Sequence, residues 1–174
     1  MKYKEIYDEY LSLLSLWSVC METSSSLKDG YISTKTISGK KYSYLQKMVD
    51  GKINSEYIKV EMLPQVKSEL QRRDEIKKEI NHINDQLNRL ETAAKVLDKS
   101  LHHKLIIRRR CSLMDSMPVE IRKKSLSFGN AIAAIEGLPT SDETEQSMYL
   151  WATGQHSFMD GYMNVLAKYN LVEV

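Results

Sequence analysis

Proline and glycine are scarce in this chain of 174 residues, with 3 and 7 copies. That scarcity excludes a loop-rich, many-stranded sheet, and together with 9 methionines it favours helices. There are only 2 cysteines, Cys20 and Cys111, in no metal or disulfide spacing, so a reduced cytoplasmic setting is expected. No apolar run reaches the roughly 18 residues of a membrane span. The N-terminal stretch MKYKEIYDEYLSLLSLW sets acids among its apolar positions, so a signal peptide is not expected. No membrane association is expected.

What is present is a balanced composition, 42% hydrophobic and 28% charged, sufficient for a packed core and against global disorder. The net charge of +2 is unevenly spread. Residues 102–124 hold seven basic and two acidic side chains, whereas 125–174 hold one lysine and six acids. A basic segment followed by an acidic tail speaks to docking and steering, not to fold.

Residues 2–21 carry Tyr3, Ile6, Tyr7, Tyr10, Leu13, Leu14 and Trp17 at steps of three and four, the pattern of an amphipathic helix. The stretch ETSSSLKDG is expected to end it. Next come YISTKTI, SGKK, YSYLQKM, VDGK and INSEYI, which predict a three-stranded antiparallel meander over Tyr31 to Ile58. Asp50-Gly51 is a tight-turn signal, since type I′ turns need positive φ. Alternation puts Tyr42, Tyr44 and Gln46 on one face and Ser43, Leu45 and Lys47 on the other. A lone meander is marginally stable, so it needs a helix to pack against.

The long helix predicted from Leu63 to about Leu105 supplies one. From Ile76 its apolar positions are Ile80, Ile83, Leu87, Leu90, Ala94, Leu97 and Leu101, a heptad seam of alternating four- and three-residue steps. Such a narrow seam needs a partner helix, from a second copy of the chain (a homodimer through residues 76–101) or from elsewhere in the same chain. HHKLIIRRRC is expected to end or kink this helix, where arginines suit the C-terminal macrodipole. After Pro118 three short helices follow. Ile121, Leu126 (or Phe128), Ile132 and Ile135 form the expected buried face of the first. Gly137 and Pro139 stop it, and Thr140, Ser141 or Asp142 caps the second. Phe158, Tyr162, Val165, Leu166 and Tyr169 are expected to point inward from the third.

The predicted fold is therefore mostly α with a small antiparallel β-meander (α+β), a long central helix and a C-terminal three-helix bundle. Its expected parts are residues 1–61 (N-terminal helix and meander), 62–107 (coiled-coil-like helix), 108–117 (basic hinge) and 118–174 (three-helix bundle).

No chemistry-bearing constellation stands out. His82, His102, His103 and His156 have no zinc-type spacing with either cysteine, so no metal or cofactor is expected. There is no nucleophile elbow, phosphate-binding glycine loop or Cys–His signature, and an enzyme is not expected. Lys40, Lys41, Tyr42, Tyr44, Lys47 and Lys52, with Arg108, Arg109 and Arg110, combine basic charge with aromatics, as a nucleic-acid-binding surface does. The modest overall charge favours the other reading, in which the tyrosines pack on the long helix and the lysines guard sheet edges. For Glu136 the plain reading is a helix-ending charge pairing with Lys123 or Lys124.

Two resemblances add expectations. GKKYSYLQKMVDGKINSEYIKVEMLPQVKSELQRRDEIKKEI, residues 39–80, resembles a Tyr-x-Tyr hairpin followed by a charged helix in small uncharacterised proteins of Gram-positive bacteria and their mobile elements. SLSFGNAIAAIEGLPTSDETEQSMYLWATGQHSFMDGYMNVLAKY resembles the VbhA-type antitoxin domain, which inhibits Fic adenylyltransferases. Glu136-Gly137, the acidic stretch Thr140 to Glu145, Gly154 and the final helix carry the likeness; Ile132 stands where that family has Ser or Thr. The resemblance implies that Glu136 reaches into a nucleotide pocket. The resulting expectation is a non-enzymatic, cytoplasmic inhibitor that binds a larger bacterial enzyme. The expected target is Fic-type or, given the small size and mobile-element flavour, an RNA-guided nuclease–RNA complex, which would make the chain an anti-CRISPR protein. Tyr42, Tyr44, Tyr57 and Trp151 are the candidate anchors, beside Glu136 and Gly137. Lys40, Lys41, Lys47 and Arg108–Arg110 are the candidate contacts to a charged partner, and a nucleic-acid-binding module is the alternative function.

Overall fold

The structure, a computed structural model, describes residues 3–137 and 140–168. The order is α1 (Tyr3–Ser26), β1 (Tyr31–Ile37), β2 (Lys40–Val49), β3 (Lys52–Ile58), a 3-10 turn (Val60–Met62), α2 (Leu63–Leu97), α3 (Lys99–Asp115), α4 (Val119–Ile135), α5 (Asp142–Ala152) and α6 (Phe158–Lys168). The chain is mostly helical with one small antiparallel sheet. No helix among the described residues is long and apolar enough to cross a membrane. The chain divides into two compact units, Val19–Asp85 on one hand and Met1–Ser18 with Gln86–Val174 on the other. Both boundaries fall inside helices rather than at the limits of the four parts read from sequence.

In the sheet unit, the strands lie in the order β1-β2-β3. Ile37 pairs with Lys40 and Val49 with Lys52, so each hairpin closes over two residues. Those residues, Ser38-Gly39 and Asp50-Gly51, all have positive φ (50°, 78°, 49° and 74°). Two central residues in the left-handed region make type I′ turns, whose twist matches that of the strands. Leu45, Ile58 and Val66 form the core, with Ile32, Leu63 and Leu70 packed on it. Thus the face of the sheet that meets α2 is the Leu45 face, and Ile32 reaches it because it is paired with Leu45 across the ladder. Arg73 fixes the loop before β1, its Nη1 donating to Leu27 O at 2.9 Å and its Nε lying 3.5 Å from Asp29.

α1 runs five residues past its expected end at 21. Hydroxyls that would serve a turn instead donate back along the helix: Ser18 to Leu14 O, Thr23 to Val19 O, Ser25 to Glu22 O and Ser26 to Thr23 O. Such back-bonding lets short polar side chains stay within a helix.

In the helical unit, the break expected near Arg108 lies instead at Asp98. Its side chain accepts from Leu101 N at 2.9 Å and its backbone is extended (φ −160°, ψ 121°), so it caps α3. The basic segment 108–117, expected as a hinge, is therefore largely helical, and the turn comes only after Asp115. Leu101, Leu105 and Cys111 are buried along α3, which gives the arginine stretch a reason to remain helical. Leu97 is exposed, because the helix ends there. Of the other seam positions, Ile76, Ile83, Leu87, Ala94 and Leu101 are buried in the single chain and Ile80 and Leu90 are half-buried, so most of the seam is covered without a second copy.

The expected buried face of α4 is a second correction. Ile121, Phe128, Ile132 and Ile135 are exposed, while Arg122, Leu126 and Ala133 are the half-buried positions. The rotation of α4 is set by Arg122. Its guanidinium donates to Met117 O at 2.8 Å, to Trp151 O at 3.2 Å and to Asp115 O, and lies 5.8 Å from the Trp151 ring. Carbonyls left open at the ends of α3 and α5 are satisfied in this way. Ser141 caps α5, accepting from Thr144 N at 3.4 Å. Of the residues expected inward on α6, Phe158, Tyr162 and Leu166 are half-buried and Val165 is exposed. Tyr169, Pro139 and Leu138 lie outside the described residues.

Candidate binding face

The sheet's second face points away from the Leu45 core. Alternation assigns it Tyr31, Ser33, Lys35 and Ile37 from β1, Lys40, Tyr42, Tyr44, Gln46 and Met48 from β2, and Ile53, Ser55 and Tyr57 from β3. Pairing across the ladder makes it continuous: Tyr44 sits opposite Tyr57 and Met48 opposite Ile53. The Tyr57 ring centroid lies 5.8 Å from that of Tyr44 and 6.1 Å from that of Tyr42, at steep interplanar angles. Edge-to-face contacts of this kind hold aromatic rings in fixed orientations. Lys35 Nζ lies 4.9 Å from the Tyr44 ring centroid, and Gln46 donates to Ser55 Oγ at 3.0 Å.

This face is unusually apolar for an exposed surface. Tyr31, Ile37, Met48, Ile53 and Tyr57 are all exposed, with Met48 at 69%. It carries two lysines, Lys35 and Lys40, and no acid. A contiguous apolar patch with aromatics and methionine, rimmed by a single sign of charge, is the composition of a recognition surface.

The structure thus brings Tyr42, Tyr44 and Tyr57 together and sets Lys40 beside them. It places Lys41 and Lys47 on the opposite face by alternation. The tyrosines do not pack on the long helix as expected; Leu45, Ile32 and Ile58 do. Lys35, Tyr31, Met48 and Ile53 join the face, though the sequence reading passed over them. The signal was available in the two-residue turns, which fix the register and hence every outward position.

The remaining predicted site residues lie elsewhere. Trp151 is 1% exposed, so it serves the interior rather than a partner surface. Its Nε1 donates to Asp115 Oδ1 at 3.1 Å and its ring meets Phe158 edge-on. Arg109 is drawn inward: it donates to Glu91 Oε1 at 2.9 Å and to Asn88 Oδ1 at 2.7 Å. Tyr10 Oη donates to the same Glu91 oxygen at 2.5 Å. Burial, reinforced by the Glu91 carboxylate, pushes the Tyr10 hydroxyl far above its ordinary range. Arg108 is half-buried and Arg110 exposed, so the three arginines do not form one open patch. Glu136 is exposed just past α4, its N–H donating to Ile132 O, and Gly137 follows with φ +67°. Lys123 is paired with Glu120 at 3.4 Å rather than with Glu136.

A second feature is a cleft of about 620 Å³ between α5 and α6, lined by Ser147, Met148, Trp151, His156, Tyr162 and Val165 among others. At its rim Lys168 bonds Glu143 and holds that carboxyl below its usual range. No group of three or more His, Cys, Asp or Glu among the described residues is placed to hold a metal.

Residues 3–68 match the model of a domain of unknown function (DUF6788). No curated protein and no solved structure matches the chain. The matched span takes in the whole tyrosine face, together with α1 and the first turn of α2, and stops short of α3 to α6.

Proposed function

We propose that this protein is a non-enzymatic inhibitor that acts by binding, of the antitoxin or anti-defence kind, and that the tyrosine face of the sheet docks on a larger bacterial protein. The observation that carries the reading is the pre-ordered cluster of exposed Tyr57 with half-buried Tyr42 and Tyr44, and exposed Met48 and Ile53 on the same face. Rigid aromatic side chains lose little freedom on binding and are the commonest energetic anchors of protein interfaces. Two lysines without an acid make the complement a protein surface with an apolar centre and carboxylates at its edge. Docking there would block a substrate or nucleotide site of an enzyme such as a Fic-type transferase or an RNA-guided nuclease.

The test is capture of a target from host lysate by the tagged chain, followed by an activity assay of the captured enzyme. Substituting Tyr42, Tyr44 and Tyr57 together by alanine should abolish capture and inhibition while leaving the circular-dichroism spectrum intact. If Glu136→Ala leaves inhibition of a captured Fic-type enzyme unchanged, the antitoxin-like mechanism fails for that target.

A nucleic-acid-binding module is the second reading, favoured by Lys35 against Tyr44, since stacked aromatics flanked by cations also suit single strands. Salt separates the two. Binding of naked DNA or RNA whose log affinity falls steeply with log salt would replace the inhibitor reading. Capture that survives nuclease treatment would sustain it.

A further inference from the structure

A second apolar surface, left uncovered among the described residues, lies on α4, in the helical unit. At about 100° per residue, Ile121, Phe128, Ile132 and Ile135 fall within a narrow arc of the helix. They are 45%, 69%, 39% and 81% exposed. The side of α4 that meets its neighbours is marked by Arg122, Leu126 and Ala133, roughly 120° around the helix from that stripe. Four large apolar side chains on a helix of 17 residues are thus held outward by the Arg122 anchor, not left there by a loose fit.

The stripe has a symmetry of its own. Ile121 and Ile135 stand seven residues to either side of Phe128. An antiparallel copy centred on Phe128 therefore sets Phe128 on its own equivalent and each Ile121 opposite an Ile135. Ile132 then meets the aliphatic stem of Lys124, whose ammonium can remain in water. Ser125, Gly129 and Ala131 flank the stripe and let the two backbones approach. The charges agree with that direction. Apart from Arg122, which is turned to the neighbouring helices, the first half of α4 holds Lys123 and Lys124 against Glu120, whereas its end holds Glu136 alone, and the helix dipole adds to both ends in the same sense. Antiparallel pairing lays positive end beside negative end; parallel pairing lays like beside like.

We infer that this protein forms a two-fold symmetric homodimer through α4, an isologous contact in which two antiparallel copies of Ile121, Phe128, Ile132 and Ile135 cover one another. The seam of α2 plays no part, because its positions Ile76, Ile83, Leu87 and Ala94 are already buried within one chain. Neither does the sheet face, so a dimer would present two of them, and binding to a multivalent target would gain from the linkage.

The full chain in sedimentation equilibrium should show a monomer–dimer equilibrium. Phe128→Glu should weaken dimerisation by at least about 30-fold, as loss of a central aromatic anchor does. Its circular-dichroism spectrum should not change, since Phe128 lies on the surface. Direction is read by cysteine pairing, for which the native thiols do not interfere: Cys20 and Cys111 are both buried. Mild oxidation should cross-link Phe128→Cys to itself and Ile121→Cys to Ile135→Cys in a mixture, but not Ile121→Cys to itself. A chain that stays monomeric at about 100 µM, well above the range of a specific contact, overturns the proposal. So does a dimer that survives Phe128→Glu, or cross-linking of Ile121→Cys to itself alone. Recruitment of a different protein to this stripe by a monomeric chain would overturn it as well.

Discussion

Trp151 Nε1 and Asp115 Oδ1 are 3.1 Å apart, and the same oxygen accepts from the backbone N–H of Phe158 at 2.7 Å. One carboxylate at the end of α3 thus holds the last turn of α5 and the first turn of α6. Arg122 closes the group from α4 by donating to the carbonyls of Asp115, Met117 and Trp151. Asp115→Ala should cost about 2–4 kcal/mol, since it leaves a buried indole N–H without its acceptor. Urea unfolding followed by tryptophan fluorescence reads the loss. Asp115→Asn, which keeps a carbonyl oxygen, should cost less.

Tyr10, Glu91 and Arg109 make a second polar group in the helical unit. The folded protein holds the Tyr10 proton well above the ordinary tyrosine value of about 10, whereas the unfolded chain releases it near that value. Its stabilising contribution is fully present below pH 10 and shrinks above it, where only the unfolded state ionises. Stability of the native protein relative to Tyr10→Phe should therefore fall above pH 10 by about 1.4 kcal/mol per pH unit. A difference between the two proteins that stays flat to pH 11 would contradict this.

Gly30 has φ +121°, and a Cβ built on it would stand 2.2 Å from Gln46 O. A side chain there would push β1 from β2 at its first pair, Tyr31 with Gln46. Gly30→Ala should destabilise by more than about 2 kcal/mol, adding strain at a glycine-favouring φ to the clash. Denaturant titration measures it.

The two faces of the sheet should respond oppositely to truncation. Leu45→Ala empties a site packed by Ile58 and Val66 and should cost about 2–4 kcal/mol. Met48→Ala and Tyr57→Ala act on exposed side chains and should each cost less than about 1 kcal/mol, while weakening capture of the target. Equal losses of stability on both faces would mean that the tyrosine face is structural.

Much of this architecture is legible in local sequence. Asp50-Gly51 predicts a two-residue turn, and with the turn comes the register that puts Tyr42, Tyr44 and Tyr57 on one face. The heptad steps through Ile83, Leu87 and Leu101 predict buried positions that the structure does bury. Asp98 was the missed signal. Set within a helical pattern, an aspartate reads equally as a solvated charge or a cap, and the local backbone had to become extended for it to act as the cap.

Residue type alone does not separate Trp151 from Tyr57. Both are aromatic candidates for a surface, yet one is interior and the other exposed. The difference depends on Asp115, 36 residues upstream of Trp151, which offers the indole a buried acceptor. Likewise the apolar positions of α4 announce an amphipathic helix but not which side it covers.

Turn type, strand alternation and helical period follow from each residue's own backbone preferences and its nearest neighbours, so the order of most elements, the sheet register and the composition of the tyrosine face can be read locally, although the break at Asp98 cannot. Which faces were then covered was decided only by tertiary structure. Burial depends on which distant groups arrive to satisfy a donor or fill a volume: Asp115 drew Trp151 inward, Glu91 drew Arg109, and Arg122 turned Phe128 toward solvent.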